Sequence, residues 1–208
     1  MSRFNAFKGK KANYNFVVEN DVARGTLPDG TLFLIDADKV ELVSNYFFHS
    51  GDRGYIYTLK GNNTECKVML HWLVLGHLKR PDFQVDHINR DKTDCRVSNL
   101  RAATNQQNSM NRKKSCNNTS GYKGAYFNKF NGYYMSKICV NYHQIYPYRS
   151  HNLIECAQAY NVAAKLLFGE FAGELNDVPP ASETIISKVY EKCRPYILED
   201  DSAVYATA

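Results

Sequence analysis

The chain has 208 residues, of which 44% are hydrophobic and 23% are charged. That length suits one medium domain or two to three small ones, and that balance excludes an intrinsically disordered chain. The net charge of +5 is mildly basic, which by itself is only a weak hint of an anionic partner.

Residues 1–65 are predicted to be rich in β-strands. The runs Thr31–Asp36 (TLFLID) and Gly54–Leu59 (GYIYTL) carry β-branched and aromatic residues and are bounded by turn formers. A short helix is expected within residues 37–48, between these two strands. Nothing in this region indicates chemistry.

Residues 66–78 form the most apolar stretch, which is too short to span a bilayer and is expected to be a core element. The N-terminus has no apolar signal core, so we expect no membrane partner and a location in the cytoplasm of a phage or bacterial host cell. The cysteines, at 66, 95, 116, 139, 156 and 193, form no C-x-x-C pair. That spacing weakens a structural zinc site and favours free thiols in a reducing compartment.

Positive charge is concentrated in the middle of the chain. Residues 87–149 hold eleven Lys and Arg against two acids, a net charge of +9, so the remainder carries −4. Such a block is typical of a protein that displaces counterions from phosphates, and the alternative is a solvated basic face without a partner. Within it, the Asn-, Ser- and Lys-rich residues leading to Ser120 are typical of a linker exposed to solvent or DNA.

Residues 117–177 are predicted to form a compact module of three strands, which lie within residues 121–140, and one helix. The Asn131-Gly132 dipeptide suits a tight hairpin. Apolar residues at 153, 157, 160, 164, 167 and 168 recur at helical spacing, and Gly169 offers a stop. In the tail, residues 178–208, Ser182 is a candidate N-cap of a helix without an assigned function.

The sharpest signal is the pair Asp86-His87, followed by Asn99 and then Asn108. The surrounding stretch, Leu70–Arg112 (LHWLVLGHLKRPDFQVDHINRDKTDCRVSNLRAATNQQNSMNR), resembles the HNH endonucleases, especially the homing type of phages and introns. The cluster of matches is specific, whereas a lone Asp-His pair would mean little. The resemblance implies a nuclease core at residues 66–116 and an overall α+β fold.

The resemblance implies a β-hairpin and a helix around one divalent cation, Mg²⁺ or Mn²⁺. Asp86 and Asn108 offer the oxygen ligands that such a hard cation prefers. His87, with an unperturbed pKa of about 6.5, is largely neutral near pH 7 and suits the general base that deprotonates water. Asn99 corresponds to the residue that holds the hairpin loop, and His71, in the apolar run, is expected to be a buried structural residue.

Three positions depart from the pattern. Trp72, Arg90 and Cys95 stand where the family usually has Arg, Gly and Asn, and none of these is a proposed ligand or the base.

The expected substrate is double-stranded DNA, cut to leave 5′-phosphate and 3′-hydroxyl ends. Nicking fits a monomer, whereas a double-strand break needs a dimer or sequential cuts. The alternative function is a non-catalytic DNA-binding regulator on a degenerate HNH fold.

Residues 119–176 resemble the Apetala-two DNA-binding domain of ethylene-response factors, through Ser120–Gly124 (SGYKG), Ala157–Ala164 and Gly169–Asn176. The resemblance implies a three-stranded antiparallel sheet in the DNA major groove, backed by a helix. Few base-reading arginines suggest a weaker sequence preference, and the alternative is a structural module whose aromatics pack on the helix. The candidate DNA contacts of the whole chain are Arg90, Arg96, Arg101, Arg112, Lys113, Lys114, Lys123, Lys129, Tyr134 and Lys137.

Overall fold

The computed structural model describes residues 14–60, 63–76 and 83–197. It divides into two compact units, one up to Asn105 and the other from Gln106 onward. Several small sheets and helices make up the described residues, so the predicted α+β class is confirmed. None of the helices in the described part of the chain has the length and apolar character needed to cross a membrane.

The first unit contains two three-stranded antiparallel sheets and a hairpin. Its strands are β1 (Asn15–Glu19), β2 (Val22–Thr26), β3 (Leu32–Asp36), β4 (His49–Ser50), β5 (Ile56–Lys60), β6 (Asn63–Met69), β7 (Gln84–His87) and β8 (Leu100–Ala103). Its helices are α1 (Val40–Val43) and α2 (Leu70–Val74), and a short 3₁₀ turn precedes α1. The sheet orders are β1-β2-β3 and β4-β5-β6, and β7 pairs with β8.

The predicted strands and helix of this unit are present. The TLFLID run becomes β3, the last four residues of GYIYTL begin β5, and α1 is the short helix expected between them. Asn20 and Asp21 adopt positive φ in the two-residue turn between β1 and β2, a conformation that these residues tolerate better than most.

Aromatic packing fills the core of the first unit. Phe33 and Phe48 are fully buried, and the Tyr14 ring meets the Phe33 ring edge-on at 5.7 Å between centroids. Leu70 on α2 belongs to the same core, as expected for the apolar stretch. Gly25 is required on β2 because a Cβ there would lie 2.2 Å from the Phe33 ring. This core supports the hairpin that carries the candidate site.

The second unit contains a three-stranded antiparallel sheet, a two-stranded hairpin and helices. Its elements are α3 (Asn105–Met110), β9 (Ala125–Asn128), β10 (Tyr133–Ser136), β11 (Ile138–Val140), β12 (His143–Ile145), β13 (Arg149–Ser150), α4 (Leu153–Phe168) and α5 (Glu183–Cys193). The sheet order is β13-β10-β9, and β11 pairs with β12. The third strand of the sheet is therefore β13, which lies beyond the three β runs expected within residues 121–140.

Helix α4 is the centre of the second unit. The Asn152 side chain caps it by accepting a hydrogen bond from the Ile154 amide, and Gly169, at φ 50°, ends it. Its predicted apolar face is buried, with Leu153 only partly covered. Ser182 caps α5 as expected, and α5 packs on α4 through Ile185 and its neighbours. Helix α5, which lies after residue 178, therefore contributes to the core of this unit.

The loop between β9 and β10 is longer than a tight turn. Four residues, Lys129–Gly132, connect the strands, because Asn128 pairs with Tyr133. The Asn128 side chain accepts hydrogen bonds from the Phe130 and Asn131 amides, and Gly132 supplies the positive φ of 72° that returns the chain.

Candidate active site

The β7–β8 hairpin carries the Asp86-His87 pair at its closed end. Its register places Asp86 opposite Arg101 and His87 opposite Leu100. Asp86 and His87 are each only 4% exposed. Burying a carboxylate is costly unless it is paired and hydrogen-bonded, so the neighbours of this pair determine its chemistry.

Arg101 is the partner of the buried carboxylate. Its Nε and terminal nitrogen both donate to Asp86 Oδ2, at 2.9 and 2.8 Å. The two side chains are 13% and 5% exposed, so water screens the pair little. Arg101 therefore neutralises the Asp86 charge across the hairpin.

Asn99 holds the loop that connects the two strands. Its side-chain oxygen accepts a hydrogen bond from the Asn89 amide at 2.9 Å, and its side-chain nitrogen donates to the Asp94 carbonyl oxygen at 2.8 Å. The Ile88 amide donates to the Asn99 carbonyl oxygen at 2.9 Å. Because Asn99 is buried, these bonds are shielded from competing water. One amide side chain thus fixes the backbone that follows His87.

Asp94 is a second buried anchor of the same loop. Its carboxylate accepts hydrogen bonds from Arg96 at 2.8 and 2.7 Å and from the Asn89 side chain at 2.9 Å. Burial alone would raise the pKa of Asp94, but the hydrogen bonds from Arg96 and Asn89 outweigh it and hold the pKa below its usual value. Asp94 stays ionised and keeps the loop closed.

The loop is also attached to β3. The Leu34 amide donates to the Thr93 carbonyl oxygen at 3.0 Å, and the Cys95 amide donates to the Leu34 carbonyl oxygen at 2.8 Å. Arg90, which stands where the resembled pattern usually has Gly, adopts a φ of 66°. Such a conformation costs a residue with a side chain about 1–2 kcal/mol, which the surrounding hydrogen bonds must offset.

His87 lies among aromatic and sulfur groups. The His71 ring lies perpendicular to it at 5.0 Å between centroids, the Tyr55 ring lies at 6.0 Å, and Cys95 Sγ is 3.9 Å from His87 Nε2. Burial lowers the pKa of His87 more than the Asp86 charge raises it. Burial likewise lowers the pKa of His71, to about 3. Both imidazoles are therefore neutral near pH 7.

The first unit thus brings Asp86, His87, Asn99 and Arg101 together on one hairpin. Asn108, the other predicted ligand, lies on α3 in the second unit, where it is half-buried. Its role stays a prediction.

Two of the three predicted DNA contacts of the first unit form ion pairs within it. Arg96 pairs with Asp94, Arg101 pairs with Asp86, and the Arg90 amide closes a turn onto the His87 carbonyl oxygen at 2.8 Å. Arg96 and Arg101 therefore stabilise the hairpin, and their contact with DNA stays a prediction.

The predicted DNA contacts of the second unit differ in exposure. The exposed ones are Arg112, Lys113, Lys114 and Lys129. Lys137 is half-buried, and Lys123 Nζ lies 3.4 Å from the Met110 carbonyl oxygen. Tyr134 packs against the Phe127 ring at 5.0 Å and against the cluster around α4, so part of its surface is structural.

Three residues around the site were assigned no role in it from the sequence. Asp94 lies three residues after Asp91, and this D-x-x-D spacing was a local signal in the sequence. Asp94 nevertheless entered the sequence analysis only as one of the two acids within residues 87–149. Tyr55 and Cys95 carried no such signal, because each reaches His87 through the tertiary fold.

Comparisons with known proteins point to one family. A family model described as HNH endonuclease matches residues 73–110, the segment that includes the hairpin and α3. An uncharacterised HNH endonuclease of Acanthamoeba polyphaga mimivirus is 33% identical over 144 residues, covering 69% of this chain and 74% of the viral protein. No solved structure matches the chain.

The hairpin carries a buried Asp-His pair, and an asparagine holds its loop. Together with the two matches, these features are typical of a nuclease. The chain belongs to the HNH endonuclease family. The family implies a nuclease, which is a hydrolase, with DNA as substrate and a divalent metal ion as the usual cofactor.

Proposed function

We propose that the protein is a metal-dependent endonuclease of the homing type, which hydrolyses phosphodiester bonds in double-stranded DNA. The observation that supports this most strongly is the neutral, buried His87 beside Asp86 on a loop fixed by Asn99 and Asp94. A pure DNA-binding protein has no need of a base held in this way.

His87 is the general base of the proposed reaction. Its imidazole accepts a proton from a water molecule, whose oxygen then forms a bond to phosphorus while the bond from phosphorus to the 3′ oxygen breaks. The leaving oxygen takes a proton from solvent, and the products carry a 5′-phosphate and a 3′-hydroxyl. Because burial lowers the pKa of His87, the neutral form that accepts the proton predominates near pH 7.

The residues present suit a hard divalent cation such as Mg²⁺ or Mn²⁺. Asp86 supplies a carboxylate and Asn108 an amide oxygen, the donors that such a cation prefers. When bound, the cation neutralises charge on the phosphate and on the leaving oxygen. The Arg101 guanidinium already holds Oδ2 of Asp86, so Asp86 must share its carboxylate between Arg101 and the cation or release Arg101.

The second unit is proposed to anchor DNA as an Apetala-two-like domain at residues 117–177. The β13-β10-β9 sheet backed by α4 supports this proposal. So do the exposed basic side chains of Arg112, Lys113, Lys114 and Lys129. Linking a weak DNA contact to the nuclease core raises overall affinity through effective concentration. The nuclease core is proposed to extend over residues 66–116, after a β-rich region at 1–65.

Cleavage of supercoiled plasmid with Mg²⁺ and with excess EDTA tests the proposed function. We expect relaxed or linear products with Mg²⁺ and none with EDTA, because the carboxylate and amide oxygens act through the cation. Sequencing the cut ends should show 5′-phosphates. Binding of DNA without cleavage in Mg²⁺ and in Mn²⁺ would instead identify a non-catalytic DNA-binding protein.

A further inference from the structure

A buried cluster of metal-binding side chains lies beside the proposed site. His71, His87 and Cys95 each offer one ligand atom, and these atoms all lie within 4.8 Å of one another. All three residues are buried, and all belong to the first unit. Two imidazole nitrogens and a sulfur are ligands that zinc prefers, whereas Mg²⁺ prefers oxygen.

We propose that His71, His87 and Cys95 form a binding site for a soft divalent metal ion, Zn²⁺ in the first instance, and that zinc bound there inhibits DNA cleavage. The site is separate in chemistry from the oxygen ligands Asp86 and Asn108. The inhibitory half of this inference rests on the proposed function, while the metal site does not.

An unpartnered nitrogen supports the site independently. His71 Nδ1 is a buried side-chain atom without a hydrogen-bond partner in the described part of the chain. Leaving a buried polar atom unsatisfied is costly, so such atoms are rare without a reason. The pKa of His71 is about 3, so its ring is neutral and keeps a lone pair for a metal ion.

The distances suit closure around one ion. Zinc bonds of about 2.0–2.1 Å to nitrogen and 2.3 Å to sulfur place tetrahedral ligand atoms roughly 3.3–3.6 Å apart. Cys95 Sγ is already 3.9 Å from His87 Nε2. Ligand atoms that lie up to 4.8 Å apart therefore need to approach one another by at most about 1.5 Å. The fourth position is left for a water molecule.

The local charge favours a cation at this sulfur. Burial, together with the negative charges of Asp94 and Asp91, raises the pKa of the Cys95 thiol, so Cys95 is protonated when no metal is bound. Binding exchanges that proton for the metal ion, as a Zn–S bond forms and the proton goes to solvent. The same carboxylates that disfavour a bare thiolate stabilise the bound cation.

Zinc and catalysis compete for His87. A metal ion bound to either ring nitrogen withdraws electron density, so the imidazole becomes too weak a base to deprotonate water. His71 and Cys95, which help to bury His87, would thus also make the proposed base sensitive to zinc.

Cobalt titration of the metal-free protein tests the site directly. We expect one Co²⁺ per chain, with the sulfur-to-cobalt charge-transfer band and ligand-field bands of tetrahedral cobalt, which Zn²⁺ then abolishes. Cys116→Ser, which alters an exposed cysteine, is the matched control and should behave as the wild type. Cys95→Ser should lose the charge-transfer band, and His71→Asn should weaken the ligand-field bands. Thermal unfolding reports whether each variant is folded.

Absence of a charge-transfer band in the wild type overturns the site, and so does a band that survives in folded Cys95→Ser.

A second experiment tests inhibition. The cleavage rate of each variant with equimolar Zn²⁺ is divided by its own rate without zinc, at saturating Mg²⁺. We expect at least a tenfold fall in wild type and Cys116→Ser, and none in Cys95→Ser. Cobalt binding through Cys95 with undiminished cleavage in zinc overturns the inhibition alone. Cobalt binding by a protein that cuts no DNA with any metal overturns the proposed function and the inhibition, and leaves the metal site standing.

Discussion

Replacing His87 by alanine is expected to slow Mg²⁺-dependent plasmid cleavage by about 10²–10⁴-fold, the usual contribution of a positioned general base. Without the imidazole, the attacking water has no acceptor for its proton, although the proposed oxygen ligands and DNA contacts remain. The initial rate of loss of supercoiled plasmid measures the effect. Binding of the same DNA, followed by fluorescence anisotropy, should change little.

His49→Ala is the matched control, because His49 is an exposed histidine on β4 of the same unit. Its cleavage rate should equal that of the wild type. Equal rates in folded His87→Ala and wild type would show that His87 is not the base.

Replacing Arg101 by alanine is expected to destabilise the metal-free protein by about 3–5 kcal/mol, since it strands one charge of a buried ion pair. The Asp86 carboxylate would lose both hydrogen bonds that its Oδ2 accepts from Arg101. A divalent cation at Asp86 can replace the lost positive charge, so Mg²⁺ should stabilise this variant more than it stabilises the wild type. Urea unfolding in EDTA and in Mg²⁺ measures both effects.

The exposed pair Lys39–Asp38 provides the comparison, because surface ion pairs contribute little to stability. Lys39→Ala should unfold as the wild type does in either buffer. An Arg101→Ala protein whose stability is the same in EDTA and in Mg²⁺ would mean that no cation replaces the lost charge at Asp86.

Local sequence signals predicted the elements that depend on short-range physics. The β-branched run became β3, the apolar period of α4 matched its buried face, and Ser182 capped α5. The Asp86-His87 pair and Asn99 were recognised from their spacing and flanking residues. The structure places them on one hairpin, with Asn99 bonded to the loop after His87.

Features that depend on strand register and tertiary contacts were not predictable. Arg101 was expected to contact DNA, and its ion pair with Asp86 follows from a register that sequence periodicity does not specify. Zinc binding was disfavoured because the chain lacks C-x-x-C spacing. Cys95 nevertheless lies near His71 and His87, since the fold brings together residues that are 8 to 24 positions apart.

Binding of Mn²⁺, measured by electron paramagnetic resonance, tests most directly whether one cation joins the Asp86 carboxylate and the Asn108 amide. The wild type should bind one Mn²⁺ per chain. Asp86→Asn and Asn108→Ala should each weaken Mn²⁺ binding at least about tenfold. Replacing even a residue that only supports a metal ligand typically lowers metal affinity about 10–100-fold. Asn131→Ala, an exposed asparagine of the second unit, should bind as the wild type does. Wild-type affinity in folded Asn108→Ala would contradict the shared ion and leave Asn108 without a role in the site.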